Sequence, residues 1–303
     1  MHRKTRLKPV EGFADGLFRG IISLNQSVHR KEGITMLKLG FLGAGNMGSA
    51  ILHGVLAAQY LSVEEMAICD LNPRKLEALS DELPGLTCTE SSIELVEMCD
   101  TVILAVKPQY LGDVLAEIHP YLHGKALISI AAGWTVDQLD AALSGSGATY
   151  LRVMPNTPAM VGEGMTAICE DTTFDQDDFE FAKGIFDSVG RTVVLPEKLF
   201  DGVIAISGSS PAYVFMMIEA MADAGVKEGL TRACAYEMAA QALLGSALMV
   251  LQSGKHPAAL KDAVCSPAGT TIEAVEELER KGFRAAIMDA MKACADKSRE
   301  MSK

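Results

Sequence analysis

Hydrophobic positions in the first two thirds of the chain come in short runs, each followed by apolar residues at helical spacing. Leu37–Leu42 is one such run, with Lys38 as its single charge, and Ile51, Val55 and Leu56 then recur at helical intervals up to about Ala58. Met66–Cys69 predicts a second strand that ends at Asp70. Pro73 then stands at the N1 position of a helix carrying Leu76, Leu79 and Leu83. Further strands are predicted over Thr101–Ala105, Ala126–Ile130, Tyr150–Met154 and Met165–Cys169. Alternating strand and helix argues for a parallel sheet wound on both faces. After about Leu195 the pattern changes, and five helical stretches follow: Lys198–Ile206, Pro211–Ala224, Thr231–Ser253, Thr271–Lys281 and Phe283–Arg299. The predicted fold class is therefore α/β, with an N-terminal doubly wound domain over residues 36–196 and an all-α domain over 197–303.

The stretch Thr231–Ser253 changes the picture. From Ala233 to Leu251 it is apolar on nearly every side (Met238, Leu243, Leu244, Leu248 and Val250 among others). A helix without a polar stripe must be covered all round, and about a hundred residues of helical domain offer too little cover. A second copy of the chain is the expected cover, which predicts an intertwined homodimer. No membrane partner is expected: the longest apolar run, Ala242–Leu251, is broken by Gly245 and Ser246 and falls short of the ~18 residues of a span.

Charge sets the N-terminus apart. Residues 1–35 hold seven basic and three acidic residues, leaving 20 basic and 36 acidic residues for the rest of the 303-residue chain. The segment reads as a mobile extension outside the fold, and Met36 stands directly before the first strand. The overall net charge of −12 excludes a general nucleic-acid binder, which needs cationic surface. Seven cysteines with no CxxC spacing fit a reducing cytoplasm and neither a disulfide scaffold nor a zinc site, so no metal is expected.

Gly43, Gly45 and Gly48 form G-x-G-x-x-G between a strand and a helix, with an acid, Asp70, closing the next strand. That context is the fingerprint of a Rossmann-like dinucleotide site. Gly43 permits the tight turn, Gly45 lets the backbone approach a pyrophosphate, and Gly48 allows close helix–strand packing. The helix start offers free N–H groups to the phosphates. Asp70 suits the ribose hydroxyls of NAD, whereas Arg74 or Lys75 suits a 2′-phosphate and Asn72 either ribose. Both cofactors are expected to work, with a slight lean to NADPH over NADH. Ala105-Val106-Lys107-Pro108 and Ile130-Ala131-Ala132-Gly133 close two further strands, where ligands of doubly wound sheets lie.

Three other strings invite a functional reading. Arg152-Val153-Met154-Pro155-Asn156-Thr157-Pro158 fixes an irregular loop at a strand end. Ser207-Gly208-Ser209-Ser210-Pro211-Ala212-Tyr213 opens one helix, and Cys265-Ser266-Pro267-Ala268-Gly269-Thr270-Thr271 opens another. The last would present backbone N–H groups at a helix start, a seat for a carboxylate. Each string taken alone is equally compatible with simple capping.

With the segment Pro257–Leu278, these strings make residues 36–300 resemble the pyrroline-5-carboxylate reductases. The resemblance implies NAD(P)H-dependent reduction of 1-pyrroline-5-carboxylate to L-proline, the last step of proline biosynthesis, in an intertwined dimer that some members extend to a pentamer of dimers. It implies that Gly43, Ala44, Gly45, Asn46, Met47 and Gly48 hold pyrophosphate, with Asn72 near the adenosine ribose. Ala105, Val106, Lys107, Pro108, Ile130, Ala131 and Ala132 would line the nicotinamide half, with Asn156 near its ring. Ser266, Gly269, Thr270 and Thr271 would bind the substrate, the last three at its carboxylate, and the Thr271 hydroxyl would reach the ring nitrogen as the catalytic group. Departures from the family pattern are Ser92, Ser210, Ala268 and Thr270. None of the six histidines lies in the three strings, which suits a cyclic imine that needs little acid catalysis. Two other enzymes remain open on the residues: a reductase of another cyclic imine, and a β-hydroxyacid dehydrogenase. The latter would call for a lysine that Pro211–Ala224 lacks. A cofactor-sensing regulator without turnover is the reading from another class.

Overall fold

The computed structural model describes residues 36–302; the expected mobile extension 1–35 lies outside the described residues. Eight strands form one sheet: β1 (Leu37–Leu42), β2 (Met66–Cys69), β3 (Thr87–Thr89), β4 (Cys99–Leu104), β5 (Ala126–Ser129), β6 (Thr149–Met154), β7 (Gly164–Cys169) and β8 (Gly190–Leu195). Their order is β3-β2-β1-β4-β5-β6-β7-β8. The helices between them are α1 (Asn46–Ala57), α2 (Pro73–Glu82), α3 (Ser92–Met98), α4 (Pro108–Ile118), α5 (Val136–Leu143) and α6 (Gln176–Ser188). After β8 come α7 (Phe200–Val203), α8 (Ser210–Lys227), α9 (Arg232–Ser253), α10 (Pro257–Val264), α11 (Thr270–Arg280) and α12 (Phe283–Met301).

The sheet is buried on both sides, so its strands read as continuous apolar runs rather than alternations. Successive residues of β4 show why: Ile103 joins Phe41, Ile51, Val55 and Phe186 in one core layer, while Val102 and Leu104 join Leu111, Leu115 and Leu139 in the other. Local chemistry starts the helices where they begin. The Asn72 side chain accepts from the Arg74 N–H ahead of α2, Thr135 and Gln138 form a reciprocal capping box on α5, and Asp175 caps α6.

Four expectations need correction. The sheet is not uniformly parallel: β7 runs antiparallel to β6, with Val153 opposite Ile168 and Met154 opposite Ala167. The loop between them, containing Gly162 in a left-handed conformation (φ 74°), is too short for a crossover and simply turns the chain back. Strands β3 and β8 were not anticipated, because β3 has three residues and the G-R-T-V-V-L of β8 mixes apolar and polar positions at the sheet edge. The stretch predicted as a helix over Lys198–Ile206 is instead a 3₁₀ turn, the short α7 and a π-helical turn over Ile204–Gly208. Finally, two continuous helical stretches, Glu197–Lys227 and Arg232–Ser253, are long and apolar enough by length and composition to cross a membrane. Gly245 and Ser246 do not interrupt the second, because one residue of each costs a helix about 1 kcal/mol or less.

Beyond Leu195 the described residues form helices and their connecting loops, with no strand among them. Helix α8 packs along α9, and α11 against α12. Most of α9 faces outward all the same: Met238, Leu244, Met249 and Leu251 are exposed.

Candidate active site

The glycine turn sits where β1 ends. Gly43 adopts φ +113°, and a Cβ there would fall 2.7 Å from the Ala105 carbonyl oxygen, so only glycine fits. At Gly48 a Cβ would lie 2.3 Å from the Gly43 oxygen, which is what lets α1 lie against the strand ends. Gly45 differs: its missing side chain would meet nothing within 4 Å. No neighbour in the chain demands glycine there, so the space belongs to something outside the chain. Helix α1 starts at Asn46 with no side-chain cap. The N–H groups of Asn46, Met47 and Gly48 thus lack intrahelical acceptors and point to an anion site. This cradle fits a dinucleotide pyrophosphate.

Asp70 is used differently from the ribose role read from its position. Its Oδ2 accepts from the Ala44 N–H (2.9 Å) and from Lys75 Nζ (3.1 Å), and its Oδ1 accepts from the Asn72 N–H (2.9 Å). Asp70 therefore braces the turn, Ala44 contributes backbone shape rather than a free donor, and Lys75 is occupied. Burial alone would raise the Asp70 pKa, but the bonds from Asn72, Lys75 and Ala44 outweigh it and hold the carboxyl below its usual range. A depressed folded-state pKa contributes stability above the unfolded value of about 3.9 that disappears as pH falls through the folded value. Asp70→Asn is thus expected to lower stability at pH 7 by about 1 kcal/mol. That deficit should begin to shrink below about pH 3.9 and vanish only once the pH has passed the lower folded-state value. Thermal melts of both proteins across pH 3–7 check it, and parallel curves would remove the brace.

The other strand ends close around the same edge. Ala105 N–H donates to the Leu42 carbonyl at 2.8 Å, Ile130 N–H reaches Leu104 O at 3.4 Å, and Trp134 Nε1 donates to Pro108 O at 3.0 Å. Ala105, Val106, Pro108, Ile130, Ala131 and Ala132 so form one rim with the glycine turn, with Lys107 exposed at the start of α4 and Asn72 exposed at the start of α2. Asn156 is 7 % exposed, and both ends of its amide are used. Its Nδ2 donates to Ser207 O (3.0 Å) and its Oδ1 accepts from Met165 N–H (2.8 Å). It ties β7 to the π-helical turn. The Ser92 hydroxyl donates to Glu117 Oε2 at 3.0 Å.

The second cluster is at the start of α11. Ala268 adopts φ +56°, a left-handed conformation that glycine takes without cost. Gly269 N–H donates to Ser266 O (3.1 Å), and a Cβ on Gly269 would lie 2.3 Å from Ser266 Oγ. The Gly269 donor is thus spent within the loop. The first-turn N–H groups of Thr270, Thr271 and Ile272 remain, with no side-chain cap over them. Among the described residues no hydrogen bond joins Ser266–Thr271 to the glycine turn. The cysteines offer no nucleophile among the groups that shift: burial pushes the Cys99 thiol up to about 12 and those of Cys69 and Cys169 to about 11. Among the described residues no cluster of His, Cys, Asp or Glu has metal-binding geometry. Sequence reasoning missed the bracing role of Asp70 and gave no part to Arg152 or Glu197, whose contacts span 45 residues and leave no local pattern.

A doubly wound sheet with this turn at its carboxyl edge defines a dinucleotide-binding protein. A pyrroline-5-carboxylate reductase of Escherichia coli K12 is 48 % identical over 267 residues, covering 88 % of this chain and 98 % of its own. The chain belongs to the pyrroline-5-carboxylate reductase family. Residues 197–301 match the family described as pyrroline-5-carboxylate reductase dimerisation, and residues 38–133 match the one described as NADP oxidoreductase coenzyme F420-dependent. The Arabidopsis thaliana pyrroline-5-carboxylate reductase is 42 % identical over 88 % of this chain and 95 % of its own. The crystal structure of a Plasmodium falciparum pyrroline carboxylate reductase with NADP bound superposes with a TM-score of 0.81 at 37 % identity, covering 89 % of this chain and all of that one.

Proposed function

We propose that this chain reduces 1-pyrroline-5-carboxylate to L-proline, the last step of proline biosynthesis. The observation that carries the reading is the uncapped start of α11, whose first turn contains Thr270 and Thr271. A five-membered imine acid needs two things there: an anion seat for its carboxylate and one hydroxyl at its ring nitrogen. Thr270 and Thr271 N–H groups hold the carboxylate, and Ser266 and Gly269 shape the loop that presents them. The Thr271 Oγ1 orients the ring nitrogen, whose protonation leaves the adjacent carbon electrophilic.

Residues 36–196 form the dinucleotide-binding part and residues 197–303 the helical part that carries the substrate. Gly43 to Gly48 hold the pyrophosphate, Asn72 sits by the ribose, and Ala105–Pro108, Ile130–Ala132 and Asn156 bound the nicotinamide half. NAD(P)H, when bound, supplies the hydride. NADPH is favoured: both Asp70 oxygens are taken by the turn, while Arg74 is exposed at the first turn of α2 and suits a 2′-phosphate. The chain works as a homodimer, in the cytoplasm, and a pentamer of dimers is the higher assembly to look for. An open apolar groove of about 240 Å³ between α8 and α9, lined by Met221, Leu230, Met238 and Ala242, supports the dimer.

The assay is imine reduction followed with NADH and NADPH in parallel. Turnover with both is expected, with the higher kcat/KM for NADPH; no turnover with either refutes the activity, and a preference for NADH refutes the cofactor choice. Thr271→Ala should lower kcat/KM about tenfold, the worth of one hydrogen bond to a charged group, with cofactor affinity unchanged. Unaltered kinetics would remove Thr271 from the chemistry.

A further inference from the structure

One ion pair is spent inside an apolar cluster. Arg152, on β6, is 3 % exposed. Its Nη1 donates to Glu197 Oε1 at 2.5 Å, and the same oxygen accepts from the Val136 N–H at 2.6 Å. The Glu197 N–H in turn donates to Asp171 Oδ2 at 3.3 Å. The guanidinium lies 4.7 Å from the centre of the Phe200 ring, which itself packs in a cluster with Met154, Cys169 and Val203. Arg152 Nε has no partner among the described residues.

Stability does not explain this arrangement. Arg152 is buried while the Glu197 side chain keeps 25 % of its exposure, so one of the two charges is taken fully out of water; such a pair is often neutral or inferior to apolar residues of the same volume, and an unpaired buried N–H adds a further cost. What the pair provides is fixed geometry. One carboxylate oxygen receives donors from two elements: the first residue of α5, four residues beyond Ala132, and β6, four residues before Asn156. Glu197 itself opens the helical part of the chain, ten residues ahead of the Ser207 carbonyl that Asn156 holds.

We infer that Arg152 and Glu197 are positioning residues for the reduction: they lock the rim Ile130–Ala132 and the strand end at Asn156 to the first turn of the helical part. They touch neither substrate nor cofactor. The inference rests on the assignment of that rim to the nicotinamide half, made above.

The test is the double variant Arg152→Met, Glu197→Gln, which removes both charges and keeps an acceptor for the Val136 N–H. Expected are a melting temperature close to the parent's, NADPH affinity within about twofold, and kcat lowered about tenfold, since an ångström of misplacement can cost as much as about 10²-fold. Amide exchange over residues 130–136 should quicken in the cofactor-free protein. Arg152→Lys, which keeps the pair, should restore most of kcat. Unchanged kcat with unchanged exchange overturns the inference, as does a kcat loss that merely follows lost cofactor affinity. Should the double variant not fold, Glu197→Asp shortens the brace by one methylene and is read the same way. A parent chain without turnover would refute the proposed activity instead, and the exchange rates with the emission of bound NADPH would still decide for or against the brace.

Discussion

Gly45→Val yields a folded chain that has lost its cofactor. Two facts separate binding from folding at this position. The residue caps α1 in an extended conformation, φ −79° and ψ 178°, which valine adopts readily. A Cβ there would meet no atom of the described residues within 4 Å. The only internal cost is a poorer N-cap, about 1 kcal/mol or less. The added methyl groups fill the space through which a pyrophosphate approaches the backbone, and NADPH affinity should fall at least about 10³-fold, or about 4 kcal/mol. Gly48→Ala makes the contrast. Its Cβ would fall 2.3 Å from the Gly43 carbonyl oxygen, so that variant loses melting temperature as well as cofactor. Fluorescence titration of NADPH and calorimetric melts of both variants check the pair of statements. Undiminished affinity in Gly45→Val would place the phosphates elsewhere.

The contrast also shows what the sequence can and cannot reveal. Gly43, Gly45 and Gly48 stand in one local string, and backbone physics assigns each a role without coordinates. The strands β1, β2, β4, β5 and β6 were legible for a similar reason: a sheet covered on both faces requires uninterrupted apolar runs. The direction of β7 was not legible, since an antiparallel return depends on the length of the turn at Gly162 rather than on the strand's own residues. Asp70 was legible as an acid at the right place but not in its partners. Its bond to the Ala44 N–H crosses 26 residues, and only the folded turn brings the two together. Ala268 looked like a plain departure from the family pattern. Its φ of +56° gives the reason glycine is usual there.

The longest-range consequence concerns α9. Its outward residues Met238, Leu244, Met249 and Leu251 find no cover among the described residues, and Leu244 is 49 % exposed. Gly245 points the same way: a glycine inside a helix costs about 1 kcal/mol relative to alanine, and here nothing in the chain comes within 4 Å of where its Cβ would be. The homodimer proposed above would account for both. Leu244→Glu is therefore expected to be silent in one chain and severe between two. Glutamate is a good helix former on an exposed position, so the circular dichroism of the helices should not change. In a two-fold interface the same charge enters twice and is buried without a partner. The variant should sediment as a single chain at micromolar concentration, where the parent sediments as two, and its turnover should fall at least about 10²-fold. That fall follows if bringing the α11 cradle to a nicotinamide requires the partner, because hydride transfer needs contact at about 3–3.5 Å. A variant that sediments like the parent with full turnover would show that α9 is covered by something other than its own copy.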